Sequence, residues 1–293
     1  MNEFVSIIIP VYNDTDRLIL CLRALHIQSY PKDLFEIIVV DNASEEKVVD
    51  IVSREFPNIL LLEEPLKGSY AARNKGIQHA KGDIFVFTDS DCIPNPDWLE
   101  KGVKRLQQEP DCGLISGRID VFYKHEEYPT FIELYEKGVA FPQELYIAKY
   151  HFSATANMFT YRRILDAVGV FNKDLKSGGD HEWGNRVFNA GFPLIYADDV
   201  CIKHPARRTW QELSIKIDRV SKGQYKINKK SHGSKLMHGL LSLHLWLPPL
   251  KKIKMILTRG TLNTLGDKTT AIMAAFMIKY YTAIIYFKLF MTE

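Results

Sequence analysis

The chain has 293 residues, 46% hydrophobic and 25% charged, a balance that excludes a disordered protein and is enough for one large domain or a domain with an appendage. Its net charge of +3 conceals a split: residues 1–202 carry 21 Lys and Arg against 31 Asp and Glu, whereas residues 203–293 carry 17 against 4. A basic tail thus follows an acidic body, so the tail is expected to meet an anionic surface or, alternatively, to dock on the body.

Met1-Asn2-Glu3-Phe4 lacks the basic and apolar regions of a secretory signal, and Cys21, Cys92, Cys112 and Cys201 form no C-x-x-C pair. Both features predict a cytoplasmic protein with reduced thiols and no zinc site. The apolar run Phe4–Ile9 predicts a strand buried on both faces and ended by Pro10. Asp14 then caps a helix near 15–28, with Leu18, Cys21, Leu22 and Leu25 on one face. Phe35–Val40 is a second strand, and Ser44 caps a helix bearing Val48, Ile51, Val52 and Phe56. Asn58–Leu62 is a third strand, Gly68 opens a helix to about Ala80, and Ile84–Thr88 is a fourth strand. This βαβαβαβ order predicts a parallel sheet covered by helices, with ligands bound at the carboxyl ends of the strands. Three polar strand ends converge there: Tyr12-Asn13-Asp14, Asp41-Asn42 and Asp89-Ser90-Asp91. Asp89 and Asp91, two apart, point to one side of an extended segment and repel unless a cation lies between them. Magnesium or manganese bridging to a diphosphate would meet that need; a solvated acidic turn is the alternative. Neither a G-x-G-x-x-G after the first strand nor a P-loop sequence is present.

Further along, Pro96–Gln108 reads as a helix and Gly113–Tyr123 as a strand with a bulge at Gly117, while residues 124–150 show no clear period. Phe152–Thr160 reads as a strand whose small residues at Ala154–Asn157 either let a ligand approach closely or pack closely. Ser177-Gly178-Gly179 turns into a helix with Asp180 near its N-terminus and with Val187 and Phe188 facing inward. Trp183 is either core or part of a binding-site wall. Phe192–Ala197 and Val200–Lys203 are short strands, followed by His204. The tail holds a basic helix at 209–230, an apolar run at Leu236–Leu247 and a longer one at 269–291. The last approaches the length of a membrane span, but Lys279 makes spanning costly. We therefore expect helices lying in the interface, with Trp246, Tyr280, Tyr281 and Tyr286 at headgroup depth and lysines on anionic lipid; a helical cap is the alternative. Alternation with aliphatic runs speaks against a nucleic-acid partner.

IIIPVYN at 7–13, IVVDNAS at 38–44, AARNKGI at 71–77, FTDSD at 87–91 and GGDHEWGNRV at 178–187 together resemble the inverting glycosyltransferases of family 2, over about residues 1–205. The resemblance implies the α/β GT-A fold: a Rossmann-like mixed, mostly parallel sheet with helices on both faces, here with a C-terminal helical appendage. It implies a catalytic domain at 1–208, with a nucleotide-sugar half to about 110 and an acceptor half at about 111–208, and then a basic amphipathic region at 209–293. Pro10, Tyr12 and Asp41 would hold the nucleoside, Asp41 bonding uracil and Tyr12 stacking near it. Arg73 would reach the base or the diphosphate, and Asp89 and Ser90 would sit by the ribose and diphosphate. Asp91 would ligate manganese or magnesium, with His204 as a further ligand. Family members carry Glu-Asp where this chain has Gly179-Asp180, so the general base would be Asp180, with Glu182 in reserve. The implied activity is metal-dependent, inverting hexosyl transfer from a nucleotide-diphospho-sugar, UDP-linked, to a glycan or lipid-linked acceptor in cell-surface polysaccharide synthesis. The enzyme would work in the cytoplasm, peripherally on the inner face of the cell membrane. The alternatives are a catalytically inactive, membrane-binding adaptor on this fold and a nucleotidyltransferase, which should carry a Gly-rich basic loop where PVYND stands.

Overall fold

The computed structural model describes residues 3–232 and 244–291, so most of the apolar run at Leu236–Leu247 lies outside the described residues. The chain forms two compact units, one of Met1–Asp120 with Phe141–His204 and one of Val121–Ala140 with Pro205–Glu293.

The first unit is built on an eight-stranded sheet of order β3-β2-β1-β4-β7-β6-β8-β5. β1 (Val5–Val11), β2 (Phe35–Asp41), β3 (Leu60–Glu63) and β4 (Ile84–Thr88) are parallel, because the helices between them return each strand to the same edge. β1 is central, and Ile7, Ile8 and Ile9 are wholly buried, each worth roughly 1.5–3 kcal/mol of transfer free energy. β7 (Asn157–Tyr161) runs antiparallel between β4 and β6 (Leu114–Phe122), and the two-residue β5 (Ile93–Pro94) runs antiparallel to β8 (Leu194–Pro205). Helices α1 (Thr15–His26), α2 (Val48–Glu55), α3 (Ser69–His79) and α4 (Trp98–Gln108) cover the sheet.

Pro10 does not end β1: the strand continues to Val11, with Pro10 paired to Val40. The β4 ladder stops at Ile8, so beyond that point β1 has a free edge, where a residue without an N–H is tolerated. Ser44 does not cap α2, whose N-cap position is Lys47; the Ser44 hydroxyl instead accepts a bond from the Asn13 amide at 3.0 Å. Gly117 is required by packing, since a Cβ there would lie 2.3 Å from Asn157 Nδ2 and from the Val200 carbonyl. Asn157 is fully buried and ties three elements together: it accepts from Trp98 Nε1 and donates to the Arg118 and Val200 carbonyls. Ala154–Asn157 are therefore core rather than a sugar surface, as is Trp183, whose indole donates to the Gly169 carbonyl. The two short strands expected at 192–203 form one, β8.

The second unit gathers α5 (Phe131–Val139), α9 (Trp210–His232), α10 (Leu250–Thr258) and α11 (Leu265–Met291) around Ile132, Leu213, Ile256, Ala274 and Ile278. (α6, Gln143–Leu145, α7, Arg162–Val168, and α8, Gly179–Asn189, belong to the first unit.) α5 opens with a capping box: Thr130 Oγ1 accepts from the Glu133 amide while Glu133 accepts from the Thr130 amide. Glu136, on the same helix, is buried and accepts from the Arg207 amide, Arg207 Nη1 and Lys216 Nζ. Burial works to raise its carboxyl, but Lys216 and Arg207 outweigh burial and hold it at about 2, below the ordinary 4.5. That stabilisation is fully present above the unfolded-state value near 4.5 and disappears as pH falls towards 2. Glu136→Gln should lower stability by about 3–5 kcal/mol at neutral pH, because it strands two cations, and should flatten the acid limb of denaturation midpoints measured against pH.

Candidate active site

The loops leaving β1, β2 and β4 meet at the sheet edge, as parallel register requires: Val11 lies opposite Asp41 and Ile8 opposite Phe87. Bonds between the loops hold them together, with Glu45 N–H donating to Asn13 Oδ1 and the Asn42 side chain donating to the Glu64 and Leu66 carbonyls. Asn13 (φ 48°) and Ala43 (φ 61°) are left-handed at the two tips, which strains Ala43 in particular. Pro10 is buried beneath the loops, whereas Tyr12 is half exposed, with Lys67 Nζ 4.9 Å from its ring centre. Asp41 Oδ1 accepts from the Ser44 amide at 3.1 Å and borders a cleft shared with Ser44, Glu46 and Glu63.

Arg73 on α3 is buried, and its guanidinium pairs with Asp89 at the end of β4. Arg73 Nε is buried with no hydrogen-bond partner, an unspent donor beside the strand ends. Ser90 donates to Asp14 Oδ2 at 3.0 Å. Asp14 does occupy the N-cap position of α1, but its side chain makes no cap bond and turns to Ser90 and Arg17 instead. Burial raises the Asp14 carboxyl, with Asp91 adding to the shift, and Arg17 and Ser90 oppose it.

Asp91 lies 3.5 Å from His204 Nε2 and 3.5 Å from Arg17 Nη1. The β5–β8 ladder pairs Ile93 with Lys203, which carries Cys92 opposite His204 and so delivers the imidazole to Asp91. His204 is buried against Phe141, with ring centres 4.6 Å apart. One ligand atom each of Asp91, Cys92 and His204 fall within 4.8 Å of one another. A carboxylate oxygen suits a hard ion such as manganese or magnesium, for which the Cys92 thiol is the poorest donor of the three; burial pushes that thiol up.

Asp180 lies in the first turn of α8, after Gly178 (φ 78°). Its Oδ1 accepts from the His181 amide at 2.9 Å and from the Tyr70 hydroxyl at 3.1 Å. Burial raises the Asp180 carboxyl above its ordinary value; the His181 amide and Tyr70 pull it back. Tyr70 lies on α3 one turn before Arg73, whose guanidinium stands 5.9 Å from its ring, so one helix face touches both Asp89 and Asp180. Nothing in the sequence singled out Tyr70. Gly179, where the family pattern has an acid, has a physical cause: a Cβ there would lie 2.6 Å from the Tyr70 ring. Glu182 is not aimed at this network. Both its oxygens bind Arg186, which also donates to the Val168 and Val170 carbonyls. Phe188, expected inward, is 43% exposed and stacks on His151.

The family model for glycosyl transferase family 2 matches residues 6–169. The glycosyltransferase AglE of Haloferax volcanii is 38% identical over 228 residues, 76% of this chain and 74% of that one. A dolichyl N-acetyl-alpha-D-glucosaminyl phosphate 3-beta-D-2,3-diacetamido-2,3-dideoxy-beta-D-glucuronosyltransferase of Methanococcus voltae is 25% identical, over 87% of this chain and 81% of its own. Among solved structures, the mannosyltransferase PcManGT of Pyrobaculum calidifontis, in complex with GDP-Man and Mn2+, aligns with a TM-score of 0.65 at 20% identity, over 98% of this chain and 86% of that one. S. aureus TarS 1–349 in complex with UDP aligns with a TM-score of 0.56 at 15% identity, over 94% and 90%. These structural likenesses concern the GT-A fold alone; the family match over more than half the sequence and the 38% identity to AglE lead to one conclusion: this chain belongs to glycosyl transferase family 2.

Proposed function

We propose that this glycosyltransferase moves a hexosyl group, with inversion, from a nucleotide-diphospho-sugar to a hydroxyl of a glycan or lipid-linked acceptor in cell-surface polysaccharide synthesis. The observation that carries this reading is the shared face of α3, where Tyr70 holds Asp180 and Arg73 holds Asp89. Asp180 is the general base. Its burial-raised carboxyl is a stronger proton acceptor than a solvated one, and inversion needs one carboxylate to take the acceptor proton as that oxygen attacks opposite the leaving diphosphate. Glu182, already committed to Arg186, is left out of the chemistry. Arg73, whose Nε has no hydrogen-bond partner, serves the donor, with Asp89 and Ser90 at ribose and diphosphate. Asp41 accepts an N–H of the base, which favours a uracil nucleotide, and Tyr12 with Pro10 forms the floor beside it. Asp91 and His204 would hold manganese or magnesium, which when bound neutralises charge growing on the leaving diphosphate.

We further assign the second unit to the cytoplasmic face of a membrane. α11 is, among the described residues, the one helix long and apolar enough to cross a bilayer, and a third of its most apolar window is buried. Its outer side exposes Met273, Met277, Ile284 and Phe287, and Trp246 and Leu250 are exposed nearby in sequence. This favours a helix lying in the interface. Tyr281 and Tyr286 instead pack edge-on against Trp210 and Tyr225.

Asp91→Ala should abolish both turnover and manganese-dependent UDP binding in calorimetry; unchanged activity would remove Asp91 from the site. Asp180→Asn should keep donor affinity and lose transfer by roughly 10²–10⁴-fold. If Asp180→Asn stays active while Glu182→Gln does not, the base is Glu182. Because the Tyr70 bond favours the charged form of Asp180, its loss in Tyr70→Phe should move the acid limb of the kcat/KM profile to higher pH with donor affinity unchanged. Gly179→Ala should push Tyr70 away, costing about 1–3 kcal/mol, and that cost, read from melting, should vanish when Gly179→Ala is made in a Tyr70→Ala background, where the ring is absent.

A further inference from the structure

Arg17, in the first turn of α1, is held beside the carboxylate assigned to the ion. Asp14 at the N-cap position makes no cap bond and directs both oxygens elsewhere: Oδ1 accepts from Arg17 Nε at 2.6 Å and Oδ2 from the Ser90 hydroxyl at 3.0 Å. A missing cap costs a helix about 1 kcal/mol, and Glu46 offsets part of it by accepting from the Thr15 amide at 3.0 Å. The guanidinium anchored in this way brings Nη1 within 3.5 Å of Asp91 Oδ2, while His204 Nε2 lies 3.5 Å from the other oxygen, Oδ1. Asp14, Ser90, Asp91 and Arg17 therefore close a ring between the start of α1 and the turn after β4. The two carboxylates are withdrawn from water, at 13% and 18% exposed, whereas the Arg17 side chain is 52% exposed. An anion arriving from solvent can reach the guanidinium, and it competes with Asp91 for it.

A guanidinium and a divalent ion on the same carboxylate repel each other, so each weakens the other's hold on Asp91. A guanidinium is also a planar fork of donors that matches a phosphate. We propose that Arg17 binds the diphosphate of the donor and thereby couples nucleotide to metal. Asp14 keeps hold of Nε, while Nη1 exchanges Asp91 Oδ2 for a phosphate oxygen. Withdrawal of the guanidinium leaves that carboxylate oxygen to the ion, so nucleotide and ion tighten each other, and by linkage the factor is the same in both directions. Asp14 acts through Arg17 as a positioning residue, which accounts for its turning away from the helix it precedes. The inference rests on the assignment of Asp91 to the ion and goes beyond it, by naming a residue for the leaving diphosphate and a physical reason for the two ligands to bind together.

The test titrates the full chain with manganese, with and without UDP, and reads free manganese from its paramagnetic resonance signal, a measurement that needs no turnover. In the wild type UDP should tighten manganese binding. In Arg17→Gln, manganese alone should bind about threefold or more tighter, because a neighbouring positive charge is gone. The factor by which UDP tightens it should fall about tenfold or more, because the charge-assisted bond to phosphate is gone as well. Arg17→Lys keeps the charge and loses the fork: manganese alone should bind within about twofold of wild type, and the UDP factor should still fall. That variant carries the comparison should Arg17→Gln fold poorly. A UDP factor unchanged in both variants overturns the role of Arg17 and leaves the ion site of the wild type standing. A wild type that binds no manganese, with or without UDP, overturns the ion assignment and Arg17 with it.

Discussion

Arg73 carries a permanent charge with almost no solvent around it, and the carboxylate of Asp89 is what makes that burial tolerable. A guanidinium in such a place without a partner would be costly by several kcal/mol. The pair therefore binds α3 to the end of β4. Tyr70, one turn earlier on the same face, reaches Asp180 on α8, so the position of the candidate base is set by the same helix that neutralises the strand end. The close approach of Gly179 to the Tyr70 ring belongs to this constraint, because any side chain there would separate α8 from α3.

Carboxylates accumulate at this edge: Asp14, Asp89, Asp91 and Asp180. Their repulsion is met piecewise, by Arg17 for Asp14, Arg73 for Asp89 and a hydroxyl for Asp180. Asp91 is left facing His204 and, at 3.5 Å, Arg17. In the roles proposed for them, Asp91 stays close to cationic or ligating groups, whereas Asp180 is desolvated, which raises its carboxyl.

The second unit solves a related problem differently. Its acidic residues on α5, Glu133 and Glu136, are buried and satisfied, one by a capping box and one by two cations. Its lysines outnumber the carboxylates available to them. The basic character of the tail is therefore a property of this helical unit as a whole.

The sequence by itself determined the parallel half of the sheet, because the continuous apolar runs of β1, β2 and β4 and the punctuation between them permit one topology. It also singled out Asp41, Arg73, Asp89–Asp91 and Asp180, which stand at strand ends and a helix start and match the family segments. It did not reveal α5: burying Glu133 and Glu136 breaks the apolar period, and Glu136 is buried only because of Arg207 and Lys216, remote in sequence. Nor did it assign Tyr70, Arg17 or the inward turn of Asp14, since polar side chains acquire these roles only from the charges brought beside them. His204 reaches Asp91 through a two-residue ladder between β5 and β8 that carries too few residues to leave a periodic signal. Tertiary structure decided these placements because electrostatic partners are chosen by distance in space, whereas hydrophobic periodicity is written along the chain.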